Sequence, residues 1–235
     1  EMIMAINGEG KTVKLSLKEK LAYSAGNLPG GFFSTFMGVI QAFYYAWMGL
    51  GVGYIILVQI LYAIWNAIND PIFSFLEDRT RTEKGRYKPW IKWFAIPFSI
   101  SFIIVFIPPQ HWRRAVGGQE LQIALASWYL VSQFLYDTGF TIIYLAYVAL
   151  LPQMTMNEKE RTQLNVLSSV MLFLGMGIAG AFPVISLTNP TAESIRTFQI
   201  FVIIFGVLAI FPWIFLINNV EERREYIPTR SEERS

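Results

Sequence analysis

The chain has 235 residues, 54% hydrophobic and only 15% charged, well below the roughly one quarter charged that soluble domains carry. Nineteen Lys and Arg against 17 Asp and Glu leave a net charge of +2, too small and too evenly mixed for a nucleic-acid footprint. Absent cysteine excludes a disulfide framework and thiolate chemistry, and a single histidine, His111, leaves no His-based metal cluster or triad.

Six apolar runs are long enough to cross a hydrocarbon core, which takes about 20 helical residues. They cover 21–47, 54–76, 90–107, 121–151, 162–187 and 196–219. Residues 1–20 form an N-terminal arm, in which Ser16 with Glu19 makes a capping box for the first helix. That helix carries small residues at every fourth place, Gly26, Gly30, Ser34, Gly38, Ala42 and Ala46, a stripe that lets another helix approach closely. Pro29 should loosen the backbone nearby and bring Tyr23 and Asn27 towards a binding region. Gly49 to Gly53 makes a short connection to the second helix, which holds Asn66 and Asp70 four residues apart, hence on one face.

Pro108-Pro109 ends the third run and Pro152 the fourth, and the fourth contains Gln133, Asp137, Tyr144 and Tyr147. Asn157 with Glu160 repeats the capping pattern before the fifth run, whose Gly175, Gly177, Ala179, Gly180 and Ala181 offer a surface matching the stripe of the first. Asn189-Pro190 is the expected cap of the sixth. Runs three and six are apolar nearly all round, as for lipid-facing outer helices, which leaves one, two, four and five as the inner set. Residues 220–235 read as a solvated linker or tail.

Charge placement orients the bundle, because cytoplasmic loops retain Lys and Arg. The N-terminal arm, the second and fourth loops and the tail hold 16 of the 19 basic residues, and the other side has only Arg113, Arg114 and Arg196. Both termini are therefore expected in the cytoplasm, in a multi-pass protein of the cell's inner membrane surrounded by lipid. Ionisable residues inside spans are costly and count as functional candidates. Asp70 and Asp137 fall at similar depth in two helices running the same way, so both can face one cavity. Asn66 and Asp70 could offer oxygens to Na⁺, or Asp70 a site for H⁺. The plainer alternatives are that Asp70 caps a helix broken at Pro71 or pairs with the nearby basic loop, and that Asp137 only bonds a neighbouring helix. No nucleophile, base and orienting group occur together, so an enzyme is not expected.

Asn69-Asp70-Pro71, Glu77-Asp78-Arg79-Thr80-Arg81 and Gly85-Arg86-Tyr87-Lys88-Pro89-Trp90 resemble the second helix and following loop of the glycoside-pentoside-hexuronide:cation symporters, the melibiose-permease-like branch of the major facilitator superfamily. Ala149-Leu150-Leu151-Pro152 with Glu160-Arg161-Thr162-Gln163-Leu164 is similar to that family's loop between helices four and five, and Leu21-Ala22-Tyr23 to its opening. The resemblance implies an all-α membrane fold of two six-helix halves, with this chain as the N-terminal half built from three-plus-three inverted repeats. It implies cation-coupled symport of a sugar or related small solute, with Na⁺ or H⁺ as coupling ion and no other cofactor, and a second half supplied downstream, by another chain or by dimerisation. Asp70 with Asn66 would then bind the cation. Tyr23, Asn27, Gln133, Asp137, Tyr144 and Tyr147 would line the substrate path, and Asp78, Arg79, Arg81, Gly85, Arg86 and Lys88 would form a cytoplasmic gate. The family's sugar transporters carry acids where this chain has Gly31, Asn66 and Tyr144, and a basic residue near Ser169. A non-transporting membrane scaffold or assembly subunit derived from such a transporter is therefore the rival reading.

Overall fold

The computed structural model describes residues 14–83, 85–109, 118–187 and 191–223. The first thirteen residues, Lys84, the loop with His111, Arg113 and Arg114, the Asn189-Pro190 cap and the tail from 224 lie outside the described residues. Among the described residues, regular structure is helical, apart from one bridge between Thr82 and Gly85.

The first expected span is four pieces: α1 (Leu17–Ala25), α2 (Leu28–Thr35), a π-helical turn (Phe36–Ile40) and α3 (Gln41–Trp47). The Ser16–Glu19 capping box is present, each side chain satisfying the other residue's backbone N–H. The first break falls at Asn27, before Pro29 in the opening turn of α2, where proline's missing N–H is harmless. The second falls at Gly38, whose ψ of −116° is non-helical, a π-type irregularity of the kind found beside functional sites. Then come α4 (Val52–Arg79), α5 (Lys88–Val105), α6 (Gly118–Met154), α7 (Glu158–Leu187), α8 (Ala192–Leu208) and α9 (Ile210–Asn219). Among the described residues, five helices, counting α8 and α9 together, are long and apolar enough to cross a membrane.

Several boundaries differ from expectation. Pro152 does not end its run, since α6 continues to Met154 with the proline in its last turn. Asn157 caps α7 through its Oδ1, which accepts from Lys159 N at 2.9 Å. Glu160 turns away from that box, because its carboxylate is taken by Thr155 Oγ1 at 2.9 Å, Leu15 N at 3.1 Å and Lys20 Nζ at 3.4 Å. Thr191, in a capping box with Ser194, opens α8.

α5 packs along α6, α2 along α7 and α4 along α6. The small-residue crossing occurs at Gly31 and Gly175. A Cβ on Gly31 would lie 2.2 Å from Leu172 O, and one on Gly175 would lie 2.3 Å from Leu28 O. Backbones this close gain dispersion and weak C–H contacts, which matter in lipid, where burial of apolar surface gives no drive. The core is aromatic: Phe33, Phe36, Phe98, Phe102, Phe106 and Phe198 are fully buried, with edge-to-face pairs such as Phe36–Phe102 at 5.5 Å. At the end of α5, Tyr44 and Tyr45 hydroxyls donate to the carbonyls of Phe106 and Val105, each at 2.6 Å. These bonds satisfy acceptors that a helix C-terminus leaves open.

Coverage among the described helices is uneven. Expected outer helix α5 buries Ile91, Ala95, Phe98, Phe102 and Val105. Expected inner helix α4 is the least covered, exposing Ile56, Ile60, Ile64, Ile68 and Ile72.

Candidate functional site

The second-span motif places Asn66, Asn69 and Asp70 against α6. Helical spacing of four puts Tyr62, Asn66 and Asp70 on one face, while Asn69 points into the bundle and is fully buried. Pro71 leaves the helix unbroken, so Asp70 is not the cap of a helix end. Asn69 Nδ2 donates to Asp137 Oδ2 at 3.1 Å and to Thr141 Oγ1 at 2.9 Å, and Thr141 Oγ1 donates to Asp70 Oδ1 at 2.8 Å. One amide and one hydroxyl thus connect carboxylates from two helices. Asn69 Oδ1 is buried without a hydrogen-bond partner.

Asp70 and Asp137 line a cavity of about 190 Å³ with Tyr62, Asn66, Thr141 and Tyr144. A neighbouring cavity of about 290 Å³ shares Tyr62, Asp137 and Phe140, and reaches Ser34, Gly38, Gln59 and Gln133. The π-helical turn therefore borders it, and Gln133 accepts there from Gln41 Nε2. Tyr144 stacks on Phe140 at 4.4 Å, and its buried hydroxyl is unpaired. At the acid positions that the resemblance leaves neutral, the geometry is specific. Gly31 has no space for a side chain, being pressed on Leu172 and Met176 backbone atoms, whereas Asn66 and Tyr144 both line the smaller cavity.

Tyr23, Asn27 and Tyr147 line neither cavity. Tyr23 and Tyr147 stack at 4.5 Å, and each hydroxyl donates to the other's carbonyl, at 3.2 and 3.1 Å. Asn27 Nδ2 donates to Ser168 O at 3.2 Å, tying the break in the first span to α7. These three form a packed joint of α1, α6 and α7. Tyr62 and Thr141 were not singled out from the sequence. The spacing 62, 66, 70 was the available signal for Tyr62, and Thr141 had none stronger than its place four residues after Asp137.

At the loop end, Arg86 Nη1 lies 3.9 Å from Asp78 Oδ1, to which Tyr87 Oη donates at 3.0 Å. Burial is the main cause that pushes the Tyr87 phenol above its ordinary pKa, which keeps it a donor. Arg81 Nη1 donates to Asp78 O at 2.6 Å, and Arg79 lies over the Phe75 ring at 3.8 Å. Glu222, unforeseen, holds the loop. Its carboxylate accepts from the backbone N–H groups of Arg86, Tyr87 and Lys88 at 2.6, 2.8 and 2.6 Å. Gly85, at φ +111°, leaves room for it, since a Cβ there would sit 2.4 Å from the carboxylate carbon. Lys88 Nζ donates to Val220 O. Arg223 reaches Glu19 at 3.1 Å and Gln153 O, through its backbone N–H, at 3.0 Å. Val220, Glu222 and Arg223 are thus docked against the bundle, while Glu221 is exposed.

A bundle of apolar helices enclosing bridged carboxylates beside small cavities defines a polytopic membrane protein with an intramembrane polar site. Residues 22–235 match the family model described as MFS/sugar transport protein, and the chain belongs to that family. It is 28% identical over 191 residues to the putative glycoside/cation symporter YagG of Escherichia coli K12, covering 79% of this chain and 39% of that protein. It is 26% identical over 222 residues to the inner membrane symporter YicJ of the same strain, covering 93% and 46%. The isoprimeverose transporter of Lactiplantibacillus pentosus is 23% identical over 219 residues, covering 90% and 43%. The chain spans less than half the length of each of these relatives.

Proposed function

We propose that the chain is the N-terminal half of a secondary transporter that couples Na⁺ or H⁺ to uptake of a sugar or related small solute by alternating access. The observation that carries this reading is the pair Asp70 and Asp137 on one cavity, bridged by Asn69 and Thr141. Two carboxylates in a low-dielectric site repel, and a bound cation or proton relieves that repulsion. Asn69 Oδ1, an acceptor without a donor, adds a further oxygen for Na⁺. Neutralising the site favours solute in the adjoining space at Gln59 and Gln133 and permits the rocking step, since a ligand shifts a conformational equilibrium by its differential affinity.

The names of the relatives support symport, and the positive-inside pattern supports termini facing the cytoplasm of an inner membrane. The loop network of Asp78, Arg86, Lys88 and Glu222 would close the cytoplasmic side, with charge-assisted bonds that break as the halves rock. A second six-helix half completes the pathway and covers the exposed apolar faces of α4 and α7. The alternative, a scaffold that no longer transports, is favoured by the closed space at Gly31 and the neutral Asn66 and Tyr144.

The test is uptake by the complete protein in proteoliposomes under an imposed Na⁺ or H⁺ gradient. Gradient-driven uptake that vanishes in Asp70→Asn is the expected result, and unchanged uptake would remove Asp70 from coupling. A stable complex with neither solute nor cation binding would favour the scaffold.

A further inference from the structure

A larger cavity lies away from the bridged carboxylates, at the end of the bundle that holds the α4–α5 loop. It is a groove of about 640 Å³ between the start of α5 and the end of α9, with Lys88, Lys92, Trp93, Ile217, Asn218 and Glu83 on its walls. Lys92 follows Lys88 by one helical turn, so both ammonium groups serve one face. Lys88 is held by its bond to the Val220 carbonyl, while Lys92 is exposed.

Pro89, Trp93 and Ile217 give the groove an apolar wall, and exposed apolar faces of α5 and α9 run on from it. Trp93 is 57% exposed, and Ile96 and Ile100 carry the same exposed face down α5. On α9, Phe211, Ile214 and Phe215 are exposed on the membrane side of Asn218. An exposed Trp beside lysines marks the membrane interface, where an indole lies at headgroup level and ammonium groups meet phosphate. Two lysines stand there with the carboxylate of Glu83, and the nearby Glu222 carboxylate is taken up by backbone N–H groups.

We propose that this groove seats an anionic phospholipid, its headgroup phosphate on Lys88 and Lys92 with the Asn218 amide, and its acyl chains along the exposed faces of α5 and α9. The site stands on the membrane-embedded fold and is independent of coupling at Asp70. Charge selects the headgroup, and apolar helix faces select a lipid over a soluble anion.

The complete protein in detergent, incubated with equimolar phosphatidylglycerol and phosphatidylcholine, tests this by native mass spectrometry. Phosphatidylglycerol is expected to be retained preferentially. Lys92→Gln should weaken that retention about fivefold, the worth of one basic residue at a charged lipid surface, while the distant exposed Lys159→Gln should leave it unchanged. Lys92 is exposed, so its variant should fold, and an unaltered melting curve verifies that. Millimolar inorganic phosphate should leave the bound lipid in place. Equal retention of the two lipids, unaltered retention in Lys92→Gln, or displacement by inorganic phosphate would overturn the proposal.

Discussion

Glycines that look alike in the sequence have opposite roles. Gly31 faces backbone atoms of α7, so an added methyl group meets Leu172 O at 2.2 Å and Met176 N at 2.6 Å, neither of which can rotate away. Gly177, on the same partner helix, has nothing within 4 Å of its would-be Cβ. Gly31→Ala should therefore cost about 1–3 kcal/mol through overpacking, read as a lower melting temperature in detergent. Gly177→Ala should stabilise by about 0.5–1 kcal/mol, because alanine loses less backbone freedom in a helix. Equal melting temperatures for the two variants would mean that the α2–α7 crossing is looser than the structure shows. The same closeness explains why position 31 carries no acid: a side chain there would have to push two helices apart.

Elements meet at the loop end through one carboxylate. Glu222 follows α9, yet it caps the start of α5, where four N–H groups lack helical partners, and negative charge is favoured there by the helix dipole. Three charge-assisted hydrogen bonds from Arg86, Tyr87 and Lys88 fix the α4–α5 loop to the end of the last span. Each such bond contributes about 1.5–3 kcal/mol, so Glu222→Ala should release the loop locally without unfolding the bundle. Hydrogen exchange at the amides of residues 86–88 should accelerate at least about tenfold, the effect of about 1.4 kcal/mol, while the amides of α6 stay protected. Uniform exchange across both regions would show that Glu222 supports the whole fold instead of the loop. Arg223, bonded to Glu19 and to the end of α6, gives the α1 start a similar tie.

Across the molecule, the charged network gathers at one end, with Glu19, Lys20, Asp78, Arg86, Glu160, Glu222 and Arg223 joined by hydrogen bonds and ion pairs. The absence of cysteine makes the orientation directly measurable. A cysteine placed at exposed Glu158 should react with a membrane-impermeant maleimide in inside-out vesicles and not in right-side-out ones, and one at exposed Glu193 should show the reverse. The same labelling at both positions from one side would contradict a membrane crossing by α7. The uncovered apolar faces of α4 and α7 suit either lipid or further helices, and their side chains alone do not distinguish the two.

Apolar length and Lys/Arg placement are properties of consecutive residues. They were enough to mark the apolar runs, the short Gly49–Gly53 turn, the Ser16–Glu19 box and the two intramembrane acids, because lipid forces each run to satisfy its own backbone. Side-chain partners across helices are properties of distance, and no local pattern carries them. Only the packed bundle joined Asn69 to Asp137, drew Tyr23 and Tyr147 into a mutual clasp away from the cavities, broke the first span at Gly38, and brought Glu222 onto a loop more than 130 residues earlier in the chain.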